Sequence, residues 1–155
     1  ILLLLSGGSA FDILSYTTLP ENASHMTLGV LDERFTKDPK ENNFTTLKET
    51  GFFKNALQKG ARTIDTSMRF ERVEALAEAM NSAWSLWIEK NSGGTILATL
   101  GMGADGHTAG IMPYAEDPGM FDILFEDKQK FVIGYDAHGK HELTLPPKRK
   151  SGDGK

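Results

Sequence analysis

Thr95-Ile96-Leu97-Ala98-Thr99-Leu100-Gly101-Met102-Gly103-Ala104-Asp105-Gly106-His107 is a short apolar run that breaks into three glycines, an acid and a histidine. Thr95–Leu100 has the length and β-branched content of a strand, and the glycines end it. Two other stretches share this layout. Ile1–Leu5 is continuously apolar and stops at Ser6-Gly7-Gly8-Ser9, and Met26–Leu31 stops at Asp32-Glu33-Arg34. Unbroken apolar strands are the habit of parallel sheets buried on both faces. Helical patterns separate them. From Arg69 to Lys90 the residues Phe70, Val73, Leu76, Ala77, Met80, Trp84, Trp87 and Ile88 fall on one helical face, and Asn91 and Gly93 end the pattern. The two tryptophans read as core at this spacing. A short helix is predicted over Ala10–Tyr16 with Ser9 as N-cap, and a helix broken near Gly51 over Phe44–Gln58. Arg62–Asp65, Lys130–Asp136 and Glu142–Leu145 read as further strands, and Lys37–Asn43 as loop. Strands alternating with helices predict an α/β domain with a largely parallel sheet flanked by helices.

Composition narrows the function. A chain of 155 residues is one domain's worth and can bury a core without staples. With no cysteine, a disulfide scaffold, a thiol nucleophile, an iron–sulfur protein and a Cys-type zinc site are excluded, and a cytoplasmic location fits. The net charge of −4 argues against nucleic acid as a partner, because phosphate neutralisation needs a basic face. The charge is uneven: residues 148–155 hold four basic groups and one acid, so they carry +3 and the rest −7. Residues 147–155 read as a basic, flexible tail outside a domain of residues 1–146. No apolar run approaches the ~20 residues of a membrane span, and Ile1–Leu5 lacks the basic flank of a signal peptide. A start inside an apolar run, without Met, points to a missing natural beginning.

Chemistry concentrates in the three loops after the three strands. Parallel strands put such loops at one sheet edge, where open α/β sheets bind ligands. Ser6-Gly7-Gly8-Ser9 lets the backbone approach an anion at a helix start, although an ordinary strand-to-helix turn explains it equally well. Arg34 suits a phosphate or carboxylate, and a solvated ion pair is the plainer reading of Asp32-Glu33-Arg34. Gly101, Gly103 and Gly106 formally match the dinucleotide pattern G-x-G-x-x-G. Asp105 inside the cradle, Pro113 soon after it and no acid-bearing strand downstream all count against that use. Asp105-Gly106-His107 looks instead like an acid orienting an imidazole that moves a proton. His25, His138 and His141 read as surface histidines, and no metal-ligand spacing is present.

Together these segments resemble 6-phosphogluconolactonase, within the larger group that includes glucosamine-6-phosphate deaminase. The similarity lies in Leu5-Ser6-Gly7-Gly8-Ser9, in Val30-Leu31-Asp32-Glu33-Arg34, in Asn43 after a polar loop, and most specifically in Gly101–Ala109. It runs from Ile1 to about Pro146. Three residues favour the lactonase branch: Arg34 after the acid pair, Thr108-Ala109 after the histidine, and Met112 rather than an acid before Pro113. Departures are Ala10-Phe11 where the family usually has Thr-Pro, Ala104 where it often has Pro, and the absence of an Arg before Leu143-Thr144-Leu145.

The resemblance implies a modified Rossmann-like α/β fold, truncated at both ends, with exposed apolar surface along the sheet. It implies hydrolysis of 6-phospho-D-glucono-1,5-lactone to 6-phosphogluconate in the oxidative pentose phosphate pathway, without metal or organic cofactor. His107 would move the proton and Asp105 orient it. Ser6, Gly7, Gly8, Ser9 and Arg34 would anchor phosphate or hydroxyls, with Lys140 a weaker candidate, Asp32 or Glu33 would hold sugar hydroxyls, and Asn43 belongs to the same site. Backbone N–H groups of the loop spanning Gly101, Gly103 and Gly106 would face the oxyanion. The partner is a small phosphorylated sugar lactone, with no nucleic acid and no membrane, and the sequence sets no oligomeric state. Alternatives are a deaminase or isomerase using Asp32 as base, a dinucleotide-binding oxidoreductase domain, and a non-catalytic sugar-phosphate-binding fragment.

Overall fold

The computed structural model describes residues 1–67, 69–127 and 129–137. Lys140, the predicted strand Glu142–Leu145, His138, His141 and the basic tail lie outside them. In chain order the elements are β1 (Leu2–Leu5), a 3-10 helix (Gly8–Tyr16), β2 (Thr27–Val30), α1 (Asn43–Glu49), α2 (Gly51–Gln58), β3 (Arg62–Thr63), α3 (Val73–Lys90), β4 (Ile96–Ala98) and α4 (Pro118–Phe125). The sheet order is β3-β2-β1-β4 and every pairing is parallel, with Leu5 opposite Val30 and Leu4 opposite Ala98. The fold is thus α/β with a parallel sheet, as expected.

Side-chain alternation along β1 explains the layering. Leu2 and Leu4 point to one face, where they pack with Leu76, Met80 and Trp84 of α3. Leu3 and Leu5 point to the other, among Phe11 and Leu14 of the 3-10 helix, Phe44 and Leu47 of α1, and Phe52, Phe53 and Ala56 of α2. On β2, Leu28 and Val30 join the second face. Thr27, facing α3, accepts a hydrogen bond from Trp87 Nε1 at 3.1 Å. Trp84 is therefore core, and Trp87 packs against it half-buried on the same face.

Three sequence expectations are corrected. The helix after Ser9 is a 3-10 helix that begins at Gly8, and its N-cap, Gly7, makes no side-chain cap, so Ser9 does not cap it. Its buried residues, Phe11 and Leu14, are three apart, which matches three residues per turn. Lys130–Asp136 forms no strand. The N–H groups of Phe131 and Val132 both donate to Asn81 Oδ1 of α3, at 2.8 and 2.9 Å, instead of to a neighbouring strand. The long helix starts at Val73, because Arg72 is extended (φ −137°, ψ 149°) and Phe70 packs on the core from outside the helix. The break near Gly51 holds, with Thr50 closing α1 and capping α2 by accepting from Phe53 N–H.

A family site at the sheet edge

Strand order fixes where a ligand can sit. The chain builds outward from β1 to β2 to β3, then returns to place β4 on the other side of β1. At such a reversal, outside the carboxyl ends of the strands on either side, open α/β sheets bind ligands. The loops after β1, β2 and β4 are the three that the sequence singles out, and they touch one another pairwise.

The first contact joins the β1 and β4 loops. Ser6 is buried and its N–H donates to Thr99 Oγ1 at 2.9 Å. The second joins the β1 and β2 loops through Asn43, the first residue of α1. Asn43 Nδ2 donates to Asp32 O at 2.9 Å and reaches Asp32 Oδ2 at 3.5 Å. Its side chain also lies against Gly7 so closely that any Cβ there would overlap it. The third joins the β2 and β4 loops. A Cβ on Gly110 would lie 3.3 Å from Asp32 Cβ.

Asp32 and Arg34 form an ion pair, Arg34 Nη1 to Asp32 Oδ2 at 2.6 Å, with side-chain exposures of 12% for the acid and 46% for the arginine. Arg34 therefore presents a guanidinium to solvent while Asp32 faces inward. Glu33 has a different task from the one expected. Its Oε1 accepts from Arg34 N–H at 2.8 Å and Asn43 N–H at 2.6 Å. Its Oε2 accepts from Phe44 N–H at 3.1 Å and Thr66 Oγ1–H at 2.7 Å. Four donors fill the lone pairs of one carboxylate, so none remains for a sugar hydroxyl. Glu33 instead closes the first turn of α1, where Asn42 Oδ1 accepts from Thr45 N–H. Burial pushes the Glu33 carboxyl above its usual value, with the four donors pulling the other way.

The β4 loop folds on itself. Gly103 N–H donates to His107 O at 2.8 Å and Gly106 N–H to Gly103 O at 3.0 Å. Those two amides are turned inward and are not available to an oxyanion, which corrects the expectation for Gly103 and Gly106. Gly101 lends its carbonyl to Thr108 Oγ1–H at 2.8 Å. Asp105 Oδ1 lies 2.5 Å from His107 Nδ1, directly over Gly103, where a Cβ would strike both side chains. Burial pushes the Asp105 carboxyl up, but the hydrogen bonds and charge of His107 outweigh it and hold the acid below its usual value. Gly106 and Gly110 have positive φ (85° and 73°), and no helix follows Gly106 until α4. A dinucleotide cradle would need one there.

Against this geometry the comparisons are direct. The sequence model of the family "Glucosamine-6-phosphate isomerases/6-phosphogluconolactonase" matches residues 1–148. The chain belongs to this family. Among solved structures it is similar to a 6-phosphogluconolactonase from Plasmodium vivax, at 25% identity and a TM-score of 0.55. That similarity covers 73% of this chain and 40% of the Plasmodium protein, so the chain spans less than half of that protein's length. No curated protein matches the chain in sequence.

The motif residues Ser6, Gly7, Gly8, Ser9, Asp32, Arg34, Asn43, Gly101, Asp105 and His107 lie on the three contacting loops and the start of α1. Gly8 has φ 65° and open space around it, as a ligand-facing turn requires. Three residues of the assembly carry no signal in the sequence: Thr66, Gly110 and Tyr135, whose hydroxyl donates to Gly110 O at 2.5 Å. Thr99 carries one, as a hydroxyl inside an otherwise apolar strand end. A cleft of about 540 Å³ lies at the opposite sheet edge, bordered by His25, Arg62, Trp87 and Lys90, and shares no residue with the three loops. Among the described residues no three His, Asp or Glu side chains converge as a metal site, and no helix is long and apolar enough to cross a membrane.

Proposed function

We propose that the chain hydrolyses 6-phospho-D-glucono-1,5-lactone to 6-phosphogluconate, as a cytoplasmic step of the oxidative pentose phosphate pathway. The observation that supports this most is the Asp105–His107 pair, mounted on a glycine loop at the switch point of the sheet. With Asp105 accepting from Nδ1–H, proton transfer falls to His107 Nε2. The imidazole takes a proton from water as its oxygen attacks the lactone carbonyl. It returns a proton to the ring oxygen as the C–O bond breaks, so water is added across the ester with no other reactant. Such general acid–base help contributes about 10²–10⁴-fold.

Arg34 anchors the phosphate or a hydroxyl with its exposed guanidinium, and Gly7, Gly8 and Ser9 offer the phosphate a small, open loop. Ser6 holds that loop to β4 through its N–H. Lys140 is a further phosphate ligand in this reading. Asp32 keeps Arg34 in place and faces the sugar hydroxyls, while Glu33 and Asn43 fix the two loops to each other. The deaminase reading needs Asp32 as base. Its Oδ2 lies within reach of Arg34 Nη1 and Asn43 Nδ2, which leaves Oδ1 as the oxygen that would take the proton. A lactone-hydrolysis assay run beside an ammonia-release assay with glucosamine 6-phosphate separates the two. Acceleration of the first with no ammonia is expected, and ammonia release alone would replace the proposal.

A further inference from the structure

The loop that carries His107 is held from outside by Asp32 and by Tyr135. After His107 the backbone turns back through Thr108–Ile111, with Thr108 N–H to Ile111 O at 3.2 Å and Ile111 N–H to Thr108 O at 2.8 Å. Both central residues have positive φ, Ala109 at 52° and Gly110 at 73°, and for alanine this left-handed geometry is costly. A strained turn persists only where its surroundings over-determine it. Asp32 abuts Gly110 on one side. On the other the Tyr135 hydroxyl donates to Gly110 O.

Tyr135 is itself well anchored. The preceding Phe131 and Val132 amides are tied to Asn81 of α3, and Asn81 Nδ2 donates back to Val132 O. Gly134 lies so close to α3 that a Cβ would fall 2.7 Å from Val73 O. The Tyr135 ring packs edge-on against Phe125 of α4 at 5.4 Å between centroids and against Tyr114 at 6.4 Å. Burial, the largest cause, and the neighbouring Tyr114 push its phenol up to about 12, so it remains a donor at any working pH.

We propose that Tyr135 is a positioning residue: its hydroxyl, fixed to α3 and α4, latches Gly110 against Asp32 and so sets where His107 stands over the substrate carbonyl. The inference rests on His107 being the proton carrier. Tyr135→Phe keeps the ring contacts and removes the hydroxyl, which donates to Gly110 O and accepts from the Met112 N–H. Two readouts are taken on the full chain. Lactone kcat falls about tenfold with KM within about twofold, because a misplaced base costs the chemical step and leaves phosphate binding intact. Amide exchange at Gly103 and Ile111 quickens about tenfold as the loop loosens. A wild-type kcat overturns the proposal, whatever the exchange shows. A lower kcat with unchanged exchange also overturns it, since the hydroxyl then acts elsewhere. If the unaltered chain accelerates no lactone hydrolysis, the functional reading fails, and exchange decides the latch alone: faster supports it and unchanged removes it.

Discussion

Gly103 shows how one position carries chemistry without a side chain. The Asp105 carboxylate and the His107 ring both lie over its backbone, closer than a methyl group allows. Gly103→Ala is therefore expected to part the pair and lower lactone kcat by about 10²-fold or more, with little loss of folding; steady-state kinetics beside a thermal melt checks this. Glu33 makes the opposite kind of prediction. Removing its carboxylate in Glu33→Ala strands the amides of Arg34, Asn43 and Phe44, so stability falls by about 1–3 kcal/mol, read by urea denaturation. The two acids also pull the pH profile in opposite directions. Asp105 sits below its ordinary 3.8 in the folded chain, so it adds stability above that pH, which is lost as pH falls through the folded value. Glu33 sits above its ordinary 4.5, so stability falls as pH rises from 4.5 through its folded value. Glu33→Gln should flatten that second slope in melts taken across mildly acidic pH. Both acids stand out in the sequence as charges after strands. Their division into a carboxylate paired with His107 and one that closes a helix does not, because Glu33's donors come from positions up to Thr66.

At the scale of elements, legibility followed locality. The apolar runs of β1 and β2, the Gly51 break and the long stripe of α3 depend on neighbours in sequence, and their positions hold to within a few residues. Lys130–Asp136 looks like a strand in isolation and is held instead by Asn81, some fifty residues earlier. The start of α4 carries a local signal of its own: Asp117 accepts from Met120 N–H as an N-cap, and Pro118 takes the first helical position. β4 bears out the expected apolar exposure along the sheet. Ile96 and Leu97 are 46% and 49% exposed, and among the described residues the strand pairs only with β1. An apolar edge of this kind invites association. Leu97→Lys should cost less than about 0.5 kcal/mol and reduce concentration-dependent self-association, which analytical ultracentrifugation reads directly.

The whole molecule is organised by one reversal of strand order. Placing β4 beside β1 brings the glycine loop of His107 against Asp32 and the strand end before it against Ser6, the latter two segments 93 positions apart. No local pattern encodes that meeting. The motif resemblance anticipates it. A site assembled this way should recognise a phosphorylated sugar as a unit. Near-saturating 6-phosphogluconate is expected to raise Tm by about 5–10 °C and gluconate by none, since a ligand held at a hundred times its Kd adds about 2.7 kcal/mol. The central claim is that His107 moves the proton in lactone hydrolysis. Its most direct test is the rate of 6-phosphogluconolactone hydrolysis by the unaltered chain and by His107→Ala, corrected for spontaneous hydrolysis. The account predicts clear acceleration by the first and a loss of about 10²-fold or more in the second. Equal rates in the two proteins would contradict it.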